Sequence, residues 1–444
     1  MKQLIHSTGP HVIAALNESA YVVLSSTTND TNAVVQLVPS TESGGGDVSG
    51  GNPVHAVASL LSLDEKSLYC AVSRQDKTLA LYSVPVIDNG DESESEKSKR
   101  VEPIAVHGTP KRVGSLLFAR VPHRGDETDP LDVVISGDFE GNVTAYPVPP
   151  AESESKSSFV NSSRLLLGHT ASMLTGVKII ENGTDGKMKI LTSDRDEKIR
   201  VSSFPDTYVV EGYLLGHTAF VSSLDISRDK SCPYCVTCGG DGTIRLWDFT
   251  TCEELDVVEA SVKPSDGSTD GEQQDHGDVD VPVSVAMSPD GGIVAAIWNE
   301  SSRVDIFEVL SEPKSLSKVQ AFECPEKPLV ATFLSDGTLC LLARDPAYLF
   351  QYEMVSNDAG QVSSFAAIEK SRLCTALRNV GAQHAIKMTL SALEVDDLKK
   401  EEVQSRQDVR DKEWNNAERK ERAKDRTRRR KKRKRERKRA QINE

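Results

Sequence analysis

The sequence predicts an all-β fold, a closed ring of seven small sheets followed by a charged tail. Three observations point there. The stretch 165–249 contains the same pattern twice: LLLGHTASMLTGVKII with KILTSDRDEKIRVSSF, then GYLLGHTAFVSSLDIS with YCVTCGGDGTIRLWDF. Weaker alternating segments of similar length flank it on both sides, and period-two alternation marks strands with one buried face. Polar, Gly- and Ser-rich or acidic stretches separate these segments, as loops between short sheets require.

The doubled stretch sets the template. Gly168-His169 and Gly216-His217 open the two copies. An Asp follows 27 residues after the first His and 24 after the second (Asp196, Asp241). Alternating runs come next, Lys198-Ile199-Arg200-Val201 and Thr243-Ile244-Arg245-Leu246, and the second ends in Trp247-Asp248. Gly-His followed by Trp-Asp at this period is the signature of a WD40 blade. Asp241-Gly242 supplies a tight turn between strands. The spacing suits a buried hydrogen-bond chain from Asp241 to His217, with Thr237 and Trp247 as further members, and His169 plays the same structural part in the first copy.

Taken in order, residues 2–38 form a first blade and 41–52 a flexible loop by composition. Residues 54–84 form a second blade, with Asp76 in its turn, and 88–100 a charged surface loop. Residues 112–148 form a third, turning at Gly141-Asn142 with Glu140 where Asp is expected. After a polar loop, 149–163, the doubled stretch supplies blades four and five. Residues 264–280 carry six acids and no Lys or Arg, another loop; 281–310 and 319–355 complete blades six and seven. Seven units close a ring and remove free sheet edges between blades. Closure calls for a strand from one chain end, and residues 2–6 and 362–368 both qualify. The propeller is thus expected over 1–375 as one domain.

Beyond about residue 393 the pattern changes. Residues 393–444 are rich in helix formers, poor in apolar side chains and free of Gly and Pro, so a solvated helix or a disordered tail is expected. The chain carries −14 overall, yet residues 418–439 hold sixteen Lys and Arg against four acids, leaving the other 422 residues at −26. Twelve of the fourteen residues 426–439 are basic. Such a run is a nuclear address or a phosphate-contacting arm, and a nuclear location is expected.

Several patterns suggest chemistry and fail on inspection. Cys232-Pro-Tyr-Cys235-Val-Thr-Cys238 has CxxC spacing but no fourth ligand, and Cys235 and Cys238 lie three apart on a strand, facing opposite ways. The eight Cys, without a secretory signal, read as free thiols. Asp266-x-Ser268-x-Asp270-Gly271 begins like a calcium loop, but its twelfth position is Gly277 rather than the bidentate Glu. No phosphate-binding loop, dinucleotide fingerprint or nucleophile motif occurs, so no catalytic residue, metal or cofactor is assigned. No run of eighteen apolar residues exists, and no helical membrane span is expected.

One turn stands apart. Ser193-Asp194-Arg195-Asp196-Glu197-Lys198 packs five alternating charges where the equivalent turn reads Gly239-Gly240-Asp241-Gly242-Thr243. Asp196 is expected to serve the blade as Asp241 does; the other charges make a docking surface on a rigid scaffold. With Gly168-His169, Ser172-Met173-Leu174-Thr175, the run 192–199, Gly216-His217 and Phe220-Val221-Ser222-Ser223, this region resembles the WD-repeat, non-catalytic subunit of eukaryotic tRNA (guanine-N7)-methyltransferase. The resemblance implies a heterodimer with a separate Rossmann-type catalytic subunit. That subunit transfers methyl from S-adenosylmethionine to N7 of a guanosine in the tRNA variable loop. It further implies that Asp194, Arg195, Asp196, Glu197, Lys198 and Arg200 contact the partner, a basic residue on the strand after the turn forming a salt bridge; Arg245 is the repeat-equivalent of Arg200. The alternatives are a scaffold in ribosome assembly, suggested by the basic tail, and a ubiquitin-ligase substrate receptor.

Overall fold

The computed structural model describes residues 4–8, 11–16, 19–24, 33–37, 52–86, 99–121, 131–149, 163–170, 172–180, 187–260, 281–299, 301–343, 349–356, 362–368, 371 and 374–375. The tail at 393–444 and the acidic loop at 264–280 lie outside them. Among the described residues no helix is long and apolar enough to cross a membrane.

Seven sheets form the propeller, six antiparallel and one mixed. Blade one holds β1 (Ile5–Thr8), β2 (His11–Leu16), β3 (Ser19–Leu24) and β4 (Ala33–Leu37). Blade two begins with β5 (Val54–Leu61), β6 (Ser67–Arg74) and β7 (Thr78–Pro85). The chain then returns to blade one, where β8 (Lys99–Val101) pairs in parallel with β4, before β9 (Ala105–Gly108) completes blade two. Blade three is β10 (Val113–Val121), β11 (Leu131–Asp138), β12 (Asn142–Pro147) and β13 (Arg164–Gly168). Blade four is β14 (Leu174–Ile180), β15 (Lys189–Asp194), β16 (Lys198–Ser203) and β17 (Val210–Leu215). Blade five is β18 (Val221–Ile226), β19 (Tyr234–Gly239), β20 (Thr243–Asp248) and β21 (Glu253–Glu259). Blade six runs through β22 (Pro282–Met287), β23 (Ile293–Trp298), β24 (Arg303–Ser311) and β25 (Lys314–Glu323). Blade seven has β26 (Pro328–Phe333), β27 (Leu339–Ala343), β28 (Leu349–Ser356) and β29 (Val362–Ala367).

Three features differ from the sequence expectation. The sequence repeat and the blade are offset by one strand: residues 165–168, which open the repeat, lie in β13 and finish blade three, so His169 reaches forward into blade four. The last two residues of the expected surface loop 88–100 form a strand together with Val101. Neither terminal strand crosses into the other's blade. Both qualifying segments are used, Ile5–Thr8 innermost in blade one and Val362–Ala367 outermost in blade seven, and the ring closes where β1 lies beside β26.

The middle strands are apolar on both faces because each blade is sandwiched between two others: all six residues of Ile293–Trp298 and all five of Leu339–Ala343 are buried. Each seam between neighbouring blades also carries a polar tie. Thr8 Oγ1 donates to Ser59 O at 3.0 Å, Ser73 Oγ to Val113 O at 3.0 Å, and Val177 N to Ser115 Oγ at 3.2 Å. Lys178 pairs with Asp225 at 2.8 Å, and Ser222 Oγ donates to Pro282 O at 2.9 Å. Ala331 N donates to Ser284 Oγ at 3.4 Å and Ser7 Oγ to Phe333 O at 3.2 Å, which closes the circle. These ties satisfy polar groups that would otherwise be stranded between apolar sheets.

Candidate functional site

Blades four and five share one device. In blade five His217 Nδ1 donates to Asp241 Oδ2 at 2.9 Å, and Thr237 Oγ1 donates to His217 Nε2 at 2.8 Å. Trp247 Nε1 then donates to the same Thr237 oxygen at 2.8 Å. The carboxylate fixes the proton on Nδ1, leaving Nε2 to accept, so all members are satisfied at once. Burial acts to raise the Asp241 pKa, but the hydrogen bonds it accepts from His217, Thr218 and Thr243 outweigh that and bring it down to about 2.

In blade four the carboxylate comes from a different residue. His169 Nδ1 donates to Asp194 Oδ2 at 2.7 Å, and Thr192 Oγ1 donates to His169 Nε2 at 2.7 Å. Asp194 Oδ1 meanwhile accepts the turn amides of Asp196 at 2.9 Å and Lys198 at 3.0 Å. Asp194 is 2% exposed, so it serves the blade interior, and the expectation that Asp196 does so is corrected. The physical reason is the residue at the strand end: Asp194 supplies a carboxylate there, and Gly239 of blade five supplies none. A Cβ at Gly239, the position equivalent to Asp194, would meet Phe220 O at 2.7 Å and His217 Nδ1 at 2.9 Å. In blade five the carboxylate therefore arrives from two residues further on. Blade three uses the blade-four arrangement: Asp138 Oδ1 accepts the amides of Glu140 and Asn142, each at 2.9 Å. The His-to-Asp spacing was the available signal, since 25 residues to Asp194 lies nearer than 27 to the 24 of the second copy.

Freed of that duty, the blade-four turn presents its charge outward. Glu197 sits at φ 73°, in the left-handed region that Gly141 and Gly242 occupy in blades three and five. Lys77 takes the same conformation at φ 67° in the blade-two turn, so the fold admits a side chain at this position. Lys198 is exposed and Asp196 half-buried. Arg195 is packed inward: its amide donates to Met173 O at 2.9 Å and its side chain is 14% exposed. Arg200 leaves the turn. Its Nε donates to Ser202 Oγ at 2.9 Å and its terminal nitrogen to Thr207 O at 3.1 Å. Arg245 bends toward the turn instead, its Nε donating to Thr243 Oγ1 at 3.0 Å. The difference follows from sequence: Ser202 stands at the position of Trp247 and offers Arg200 an acceptor, while Lys198 replaces the acceptor Thr243. Of the six predicted contact residues, then, Asp194 and Arg195 face inward, Asp196, Glu197 and Lys198 crown the turn, and Arg200 lies along the blade's flank.

The cysteine motif is a core feature. Cys235 packs between blades four and five and Cys238 between five and six. Burial pushes the Cys238 thiol up to about 12 and Cys235 well above its usual value. Among the described residues no group of three or more His, Cys, Asp or Glu is placed to hold a metal ion.

Two outcomes follow. Asp194→Ala strands His169 Nδ1 and two turn amides, and should destabilise the propeller by about 1–3 kcal/mol. Asp196→Ala should lie within about 0.5 kcal/mol of wild type. Urea unfolding compares them; equal losses would return the structural role to Asp196. The second outcome concerns acid. The Asp241 carboxylate is depressed when folded, so its contribution is full above the ordinary carboxylate pKa of about 4 and fades as pH falls toward about 2. It amounts to about 2 kcal/mol, and Asp241→Asn should flatten that part of the stability–pH curve measured by thermal melting from pH 5 to 2.

Comparison with known proteins places this geometry. Residues 144–364, from β12 of blade three into β29 of blade seven, match the family model of the tRNA methyltransferase TRM82 WD40 domain. Proteins named tRNA (guanine-N(7)-)-methyltransferase non-catalytic subunit TRM82 are similar. The Vanderwaltozyma polyspora protein is 27% identical over 64% of this chain and 59% of its own length. The Debaryomyces hansenii protein is 47% identical over 21% and 20%, and the Aspergillus oryzae protein 43% identical over 24% and 22%. The chain thus spans less than two thirds of the length of these relatives. Among solved structures, U3-55K (TM-score 0.52, 17% identity, 76% of this chain and 87% of that one) and the RRP9 WD40 repeats (TM-score 0.52, 18% identity, 76% and 86%) share the fold. The repeats, the histidine networks and the family match all fall on blades three to seven, and this part of the chain is similar to the TRM82 WD40 domain.

Proposed function

We propose that this protein is the non-catalytic subunit of a tRNA (guanine-N7)-methyltransferase. In this reading it binds and stabilises a separate catalytic subunit, which makes N7-methylguanosine in the tRNA variable loop. The match to the TRM82 WD40 domain over residues 144–364 carries the reading, because its span includes the charged turn of blade four. The relatives' names supply the partner and the substrate. The physics suits a scaffold. A turn held at both ends by Asp194 spends little entropy in keeping its crown of charges fixed, and preorganised charge selects one partner surface over others. The methyl donor and the chemistry belong to the partner; the buried His169 and His217 of this chain are held by Thr and Asp of blades four and five. The partner meets Asp196, Glu197 and Lys198 at the turn and Arg200 on the flank, where its guanidinium exchanges a carbonyl for a partner carboxylate.

Charge reversal tests the interface. Lys198→Glu and Arg200→Glu should each separate co-expressed subunits on size-exclusion chromatography and abolish tRNA methylation, with circular dichroism unchanged. Removing one member of a desolvated charge pair costs about 2–5 kcal/mol. Co-elution of both variants at wild-type level would move the interface elsewhere. The basic run at 426–439 is assigned to nuclear delivery. A chain truncated before residue 426 should assemble with the partner normally but lose nuclear enrichment in fluorescence microscopy; loss of assembly would make the tail part of the interface instead.

A further inference from the structure

Twelve large apolar side chains stand exposed among the described residues, and they are not spread evenly. Five of them, Tyr208, Val209, Val210, Tyr213 and Leu215, fall within eight consecutive residues on the outer edge of blade four. Tyr208 is 77% exposed, Leu215 66% and Tyr213 43%. Leu214, between the last two, is fully buried against blade five, so the alternation of β17 sets Tyr213 and Leu215 together on the outward face.

The outer strand of any blade is a sheet edge, with a row of backbone groups unpaired on one side. Proteins guard such edges with charge. In β21, four of seven residues are acidic (Glu253, Glu254, Asp256, Glu259), and β25 carries Lys314, Lys318 and Glu323. The strand β17 has one charged residue, Glu211, and its carboxylate turns back into the blade, to Lys189 Nζ at 2.6 Å and Ser203 Oγ at 2.6 Å. This edge is apolar and unguarded, unlike the charged outer strands of blades five and six. An exposed apolar strip of that kind marks a surface meant to be covered.

Its border identifies what covers it. In the pairing of β16 with β17, Lys198 lies opposite Leu215 and Arg200 opposite Tyr213. The apolar strip is therefore flanked along its length by two cations and runs directly into the charged turn. We propose that this outer edge of blade four is the apolar half of the docking surface for the catalytic subunit, a proposal that rests on the function read above. The occupant presents apolar side chains to Val210, Tyr213 and Leu215, with carboxylates along the side that meets Lys198 and Arg200. Two copies of this chain fit poorly: a two-fold pairing of such edges brings the same basic row from each copy to one seam, where like charges repel.

The test uses the full chain co-expressed with the catalytic methyltransferase subunit, and affinity is measured between the purified subunits. The double variant Tyr213→Ser/Leu215→Ser should weaken binding at least tenfold at an unchanged melting temperature. Leu215→Lys, a single change on a largely exposed side chain, should do the same. Met354→Ser/Val355→Ser, two exposed apolar side chains on β28 of blade seven, should bind as wild type. If both edge variants bind within twofold of wild type while Lys198→Glu dissociates, the partner uses the turn alone, and the apolar edge is not part of the interface although the subunit reading stands. If the wild-type chain fails to bind the methyltransferase, the subunit reading falls and this proposal with it. A wild-type dimer that the edge variants convert to monomer would assign the strip to self-association and overturn the proposal.

Discussion

The propeller depends on satisfying polar groups at seven seams between apolar sheets. Each blade is covered on both faces, so hydroxyls, amides and charges at the seams find partners on the next blade or within their own. The answer is a chain of short side chains, Ser7, Thr8, Ser73, Ser115, Ser222 and Ser284, with the Lys178–Asp225 pair completing the circle. Small hydroxyls suit this task because they reach a neighbouring backbone without opening a gap between closely packed strands. His6 shows how enclosed the inner layer is: burial, then the nearby Arg228 and Lys178 charges, push it down to about 3, so it stays neutral and bonded to Ser59.

The second constraint ties the loop before each blade to that blade's turn. His169 and His217 do this with the same atoms, yet the carboxylate comes from Asp194 in one blade and Asp241 in the other. One site near the imidazole is filled from two directions. That choice has a consequence at the surface. Where Asp241 holds the histidine from within the turn, the turn itself is glycine-rich and bland. Where Asp194 holds it from the strand end, the next residues are released, and Asp196, Glu197 and Lys198 form a charged crown on a backbone pinned through its amides. Structural economy inside blade four thus creates the feature by which it differs from its neighbours.

Much of this was legible in the residues. His217, Thr237, Asp241 and Trp247 form the chain that their spacing describes, because both copies of the repeat mark the register of adjoining strands unambiguously. Cys235 and Cys238 face opposite sides, as their three-residue separation on a strand demands. The donor in blade four was not legible in the same way. Asp194 and Asp196 are two residues apart with equal chemistry, and only their places in the fold, at the buried strand end and in the turn, distinguish them. The apolar edge had a local signal, since Tyr213 and Leu215 share a face that Leu214 does not, but alternation alone does not say which face is covered.

The sequence by itself determined the number of blades, the positions of their turns and the members of the blade-five network. These follow from short-range rules: strand alternation, turn residues and the spacing of groups within one repeat. The tertiary structure decided the offset between repeat and blade, the return of residues 99–101 to blade one, and closure by packing β1 beside β26 rather than by exchanging a strand. It also decided the direction of Arg200, which follows Ser202 and Thr207 away from the turn. Each of these depends on contacts between residues far apart in the chain or on the space left by a neighbour's side chain, and local sequence carries no record of either.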